Sequence, residues 1–201
     1  MDTRLTVDDR SEILRYLGYR GSEITPGVEK RIEACMNKAN EVSKIGYSYR
    51  LFSVSYEDKG VVVENALMTM PGNSIKKHLA GAENVAFMCV TLGRAFDVEV
   101  EMQMVKDPAS GVILNACGIA LIEKAADELQ KLIDDSLEGT LRTGVRFSPG
   151  YGDLPLSLQE DFLRVLNAEK YAGIRLNSSY LCNPSKTVTA VCALVDRSAV
   201  V

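Results

Sequence analysis

At 201 residues the chain is the size of one large domain or two small ones, and with 46% hydrophobic and 25% charged residues it carries enough apolar mass for a real core. A net charge of −4 argues against nucleic acid as a partner, since a phosphate-tracking protein carries a basic patch. No run reaches the ~18 apolar residues of a membrane span, and the N-terminal MDTRLTVDDRSEI lacks the apolar stretch of a secretory signal, so a cytoplasmic, non-membrane protein is expected.

SEILRYLGYRG reads as a short helix, with Ile13, Leu14 and Leu17 on one face and Gly18 as the stop residue. ITPGVEKRIEACMNKANEVSK reads as a second, capped by Thr25, with Pro26 at the first helical position. Ile32, Met36, Ala39 and Val42 keep helical spacing. YSYRLFSVSY and VVVENALM flank the turn EDKG and read as a β-hairpin. NSIKKHLAG is a short helix, and ENVAFMCVTLG an apolar run of strand length.

RAFDVEVEMQMVKD carries two periods at once. Asp97 to Met104 alternate as in a strand, while Ala95, Phe96, Val100 and Met104 also fit a helix face. A helix is expected, because a strand would force an abrupt turn after the preceding apolar run. PASGVILNACGIALIEKAADELQKLIDDSLEG is the longest helix, started by Pro108 and striped by Leu114, Cys117, Leu121, Ala125, Leu129 and Ile133. Gly118 in its middle costs ~1 kcal/mol of helix propensity against alanine. Close approach by another backbone would justify that glycine and marks the helix as central. SLQEDFLRVLNAEKYAG is expected to be one helix, with Ser157 and Glu160 in capping-box spacing. IRLNSSYLCNP and SKTVTAVCALV close the chain as strands.

This order is not a regular βαβ alternation. It predicts an α+β fold: a mixed or antiparallel sheet, a long central helix and an N-terminal helical segment. The expected division is a helical segment at 1–45 and a main domain at 46–201, together one compact unit. The cysteines, Cys35, Cys89, Cys117, Cys182 and Cys192, are odd in number, lack CxxC spacing and sit mostly in apolar segments; reduced, buried thiols are expected. The single histidine, His78, has no metal-ligand or nucleophile partner nearby in sequence. It is expected near a helix C-terminus, meeting orphan carbonyls.

GVRFSPGYGDLPLSLQ, residues 144–159, does not read as core. Pro149 holds φ near −65° and disfavours helix at Ser148, while Gly150 and Gly152 permit positive φ and leave backbone amides uncovered. Arg146 offers a planar fork suited to a carboxylate, and Tyr151 an aromatic face and a hydroxyl. Two readings stand on the residues alone. One is a loop holding a ligand with a carboxylate and a base or cation. The other is a plain surface turn, with Arg146 in a salt bridge and Tyr151 packed on the core. The phosphate-cradling signatures GxGxxG and GxxxxGK[ST] do not occur. Glu123, flanked by Leu121, Ile122 and Ala125, has two readings: partly buried and paired with a cationic ligand, or an ordinary solvated boundary glutamate paired with a lysine.

Three segments in order, ALIEKAADEL, GVRFSPGYGDLPLSLQ and SSYLCNPSKTVTAV, resemble the activation (reactivation) domain of cobalamin-dependent methionine synthase. The chain looks closer still to the short stand-alone proteins related to that domain, which GAENVAFMCVTLG also suits. The likeness is strongest from Asn73 to Ala193; residues 1–45 resemble only the short relatives. It implies a protein that binds S-adenosylmethionine and docks over a corrinoid held by a cobalamin-binding methyltransferase. A flavodoxin-like donor then supplies one electron to cob(II)alamin, and the sulfonium methyl group traps the reduced cobalt. Within that resemblance Arg146, Gly150 and Tyr151 match ligand-binding residues of the loop, Ser148 stands where the family has alanine, and Glu123 aligns with a ligand-binding glutamate on the long helix. The loop departs from the family pattern after Tyr151, continuing GDLPL. The resemblance implies a stand-alone reactivation subunit; the alternative is a docking module for a corrinoid protein without S-adenosylmethionine chemistry.

Overall fold

The computed structural model describes residues 1–21 and 24–196, so the end of the expected 46–201 segment, 197–201, lies outside the described residues. Helices α1 (Arg10–Tyr16) and α2 (Pro26–Val42) come first, followed by strands β1 (Gly46–Glu57), β2 (Gly60–Val63) and β3 (Met68–Pro71). Then come α3 (Asn73–His78), β4 (Asn84–Thr91), α4 (Arg94–Lys106) and the long α5 (Pro108–Ser136). The chain continues through β5 (Leu141–Thr143), α6 (Gln159–Leu166), α7 (Ala168–Ala172), β6 (Arg175–Leu176), β7 (Cys182–Asn183) and β8 (Thr187–Asp196). Six strands form one antiparallel sheet in the order β3-β2-β1-β4-β8-β5. The fold is α+β, as the element order predicts.

Strand β4 is covered on both faces, which is why its sequence is a nearly unbroken apolar run. Ala86, Met88 and Val90 point to one side with Ala190 and Cys192 of β8, against α2 and α5. Val85, Phe87 and Cys89 point to the other with Val191, against α6 and the β2–β3 ribbon. Helix α5 is long and apolar enough to cross a bilayer, yet Leu114, Cys117, Leu121, Ala125, Leu129 and Ile133 are all buried in the first of these cores. The N-terminal segment lies along α5: Ile13 is buried, and Lys124 donates to Asp9 at 2.7 Å. Burial pushes the thiols of Cys89, Cys117 and Cys192 up to about 12.

Most expected elements form where the patterns place them. Thr25 caps α2 with Pro26 in its first turn, and the two-period segment is the helix α4. Four details differ. VVVENALM is not one strand; it turns at Asn65 and Leu67, both in the left-handed region, into β2 and β3. SLQEDFLRVLNAEKYAG is two helices, broken at left-handed Asn167, and Ser157 lies in a 3₁₀ turn (Leu156–Leu158) instead of capping α6. IRLNSSYLCNP stays out of the main sheet and forms the small β6–β7 ribbon. At Gly118 the close neighbour is the Phe96 ring, 2.4 Å from where a Cβ would stand. Backbone approach occurs instead at Gly111, where a Cβ would lie 2.7 Å from the Met104 amide nitrogen. Pro108 thus lets α5 start directly beside α4, and glycine lets the two cross.

Candidate functional site

The segment 144–155 leaves β5, pairs briefly with β8 through Phe147 and Val191, and then turns back. Tyr151 N–H donates to the Ser148 carbonyl at 3.1 Å, and Gly150 N–H to the Leu154 carbonyl at 2.9 Å, with Gly150 at φ +92°. Helix α3 clasps this loop. The Asp153 carboxylate accepts from the Asn73 and Ser74 amides at 2.7 and 2.9 Å, taking the place of a side-chain cap that Gly72 cannot supply. His78 Nε2 donates to the Val145 carbonyl at 2.9 Å, and its ring sits 4.7 Å from Phe147. His78 does close α3, as expected, but the carbonyl it meets belongs to the loop.

The same backbone amides hold the Asp153 carboxyl below its ordinary value of 3.8. A lowered folded-state pKa contributes stability that is present above 3.8 and is lost as pH falls through the folded value. Acid unfolding of Asp153→Asn followed by circular dichroism should therefore show a shallower loss of stability below about pH 4 than the wild type. Equal slopes would contradict the clasp.

Between this loop, α5 and β8 lies a cleft of ≈ 600 Å³. Arg146 reaches across its mouth to α5. Its Nη2 donates to Glu123 at 2.8 Å, and its Nη1 to Asp127 at 2.7 Å and to Gln130 at 2.8 Å. These three acceptors stand at i, i+4 and i+7 on one face of α5. They use three of the five guanidinium donors, leaving two without a partner among the described contacts. The Arg146 side chain is 21% exposed, while Glu123 and Asp127 are 48% and 62% exposed. Glu123 is thus the solvated boundary glutamate of the two readings, because its apolar sequence neighbours turn inward and it turns out. Its partner is an arginine, not a lysine. Two carboxylates against one guanidinium leave the mouth with one net negative charge.

Of the five expected site residues, Glu123, Arg146, Ser148 and Tyr151 line the cleft. Gly150 does not; it shapes the turn behind it. Tyr151 is 58% exposed, its ring edge-on to Phe147 at 5.8 Å. The far wall is neutral and polar: Thr187 and Thr189 on β8, and Gln159 at the start of α6.

The fold is similar to that of a reactivation domain. A crystal structure of the MetH reactivation domain bound to AdoHcy superposes with a TM-score of 0.67, covering 92% of this chain and 73% of that one at 16% identity. At that identity the likeness is one of fold. No family model matches the chain, and no curated protein matches it in sequence.

Asp127, Gln130, Gln159, Thr187 and Thr189 complete the cleft without having been read from the sequence. The first two carry a signal, the four- and seven-residue spacing from Glu123. The others depend on β8 passing beside the loop, which no local pattern encodes. Among the described residues no three His, Cys, Asp or Glu side chains gather to hold a metal ion.

Proposed function

We propose that this chain binds S-adenosylmethionine in the cleft and serves as a reactivation subunit for a cobalamin-dependent methyltransferase of the methionine synthase type. The observation that carries the reading is Arg146, ringed by Glu123, Asp127 and Gln130 at the mouth of a cleft in a reactivation-type fold whose similar structure is bound to AdoHcy. Arg146 has donors left for the methionyl carboxylate, and a charge-assisted pair fixes that end of the ligand. Glu123 and Asp127 face the amino group and the sulfonium. Tyr151 packs beside the ligand, and Ser148 offers backbone groups along it. The corrinoid is assigned to the partner; His78, the single histidine, is engaged through Nε2 with the Val145 carbonyl. Bound to the partner, the corrinoid would supply a reduced cobalt able to accept the methyl group. This chain's part is to hold the donor, orient its sulfonium and limit water. An external one-electron donor of the flavodoxin type completes the scheme.

Charge gives a test within this reading. S-adenosylmethionine carries a sulfonium that S-adenosylhomocysteine lacks, and the mouth carries net negative charge. S-adenosylmethionine should bind the tighter by about twofold to fivefold at low salt, the modest margin expected for exposed carboxylates. The margin should shrink as salt rises. Calorimetric titrations of both ligands at two salt concentrations measure this; a margin independent of salt contradicts the placement of Glu123 and Asp127. The function itself is tested by adding the chain, a reductant and labelled S-adenosylmethionine to a methionine synthase that lacks its own activation domain and is arrested as cob(II)alamin. Methylcobalamin should accumulate only with the chain present, and equal accumulation without it overturns the assignment.

A further inference from the structure

The far wall of the cleft holds a polar group that the charged mouth does not explain. Gln159 is 9% exposed and Thr189 is 4% exposed, both buried polar side chains. Thr189 Oγ1 donates to Gln159 Oε1 at 2.7 Å. That bond engages the amide oxygen and leaves the amide nitrogen, with its two N–H donors, without a partner among the described residues. The nitrogen is not sealed in the core but open to the cleft, so a ligand that covers it must accept from it or leave it unpaired. Gln159 lines the cleft, so the cleft is where an acceptor can approach.

The chemistry of the two walls differs. Charge is confined to the α5 side, with Glu123, Asp127 and Arg146; the opposite wall offers the neutral Gln159, Thr187 and Thr189. An amphoteric ligand laid across the cleft would place its ionised end at the first and a neutral, acceptor-bearing end at the second. We infer that Gln159, fixed by Thr189, is a specificity-determining residue that donates a hydrogen bond to a ring-nitrogen acceptor on the nucleobase of the ligand. This rests on the reading of the cleft as a S-adenosylmethionine site. Thr189 acts through Gln159 as a positioning residue, since its hydroxyl holds the amide with the donor side toward the cleft. A site that hydrogen-bonds a ligand atom rejects the analogue lacking it, because the protein donor is then left unpaired.

The experiment is a set of calorimetric titrations on the full chain. The ligands are S-adenosylhomocysteine, deaza analogues of it that each replace one ring nitrogen by CH, and L-methionine. The proteins are the wild type, Gln159→Met and Gln159→Glu. In the wild type one deaza analogue should bind about fivefold to twentyfold more weakly than the parent. Gln159→Met and Gln159→Glu should weaken the parent by a similar factor, bind that analogue no worse than the parent, and leave L-methionine within twofold. If wild type binds the parent and every deaza analogue equally, or if both variants hold the parent within twofold, the assignment of Gln159 is overturned while the cleft reading stands. If wild type binds neither S-adenosylhomocysteine nor S-adenosylmethionine, whether alone or with a corrinoid methyltransferase present, both are overturned. The comparison among analogues in the wild type decides the matter even if neither variant folds.

Discussion

Replacing Arg146 by alanine should weaken S-adenosylmethionine binding by about tenfold to a hundredfold, with little change in thermal stability. The two parts of that expectation come from the same geometry. Toward a ligand carboxylate, Arg146 is a half-screened guanidinium with donors to spare, and a charge-assisted pair of that kind contributes ~1.5–3 kcal/mol. Toward the fold, its ion pairs are with Glu123 and Asp127, which are 48% and 62% exposed. Pairs to solvated carboxylates contribute at most ~1 kcal/mol, and the carboxylates stay hydrated when the arginine is gone. Arg146→Lys should fall between, since it keeps the charge and loses the planar fork. Binding to Arg146→Ala within twofold of wild type would remove Arg146 from the site; a large loss of stability would make it structural.

The largest expected loss of stability belongs to Phe87→Ala. Phe87 sits in the middle of the central strand β4 and is fully buried. Its ring lies 4.6 Å from Phe162 of α6 and 5.5 Å from Phe52 of β1. It therefore ties the sheet to the helix that begins with Gln159. Truncation removes a large apolar surface and opens a cavity between two rigid elements, which cannot close over it. A loss of ~3–5 kcal/mol is expected, seen as a fall of roughly 10 °C in the thermal midpoint of a chain this size. Phe87→Leu, which keeps more of the volume, should lose less. A Phe87→Ala midpoint within about 2 °C of wild type would mean that α6 does not depend on this contact.

The segments whose pattern and packing agree were legible in the sequence. Helix α2 shows its cap, its proline and its apolar stripe, and β4 shows the unbroken run of a strand covered on both faces. The details that differed turn on single residues whose backbone conformation is set by tertiary contacts. Asn167 adopts φ +49° and splits a helix that local propensity would continue. Asn65 and Leu67 turn an apolar run into a ribbon. Gly118 was legible as a packing glycine, but its neighbour could not be known before α4 was placed against α5.

The candidate site was legible in halves. The loop announced itself through Arg146, Pro149, Gly150 and Tyr151, and α5 through Glu123. Their meeting is a long-range event, carried by β8 running beside Phe147 and by α3 clasping Asp153. Asp127 and Gln130 follow once Arg146 is known to reach α5. Gln159 and Thr189 do not follow from anything local, because a glutamine and a threonine in those segments are ordinary surface residues until the fold buries them.

The most direct measurement is calorimetric titration of S-adenosylmethionine into the wild-type chain. Saturable binding at a single site, lost in Arg146→Ala, is the predicted result. The absence of binding at millimolar ligand, both for the chain alone and with a corrinoid methyltransferase present, would contradict the account.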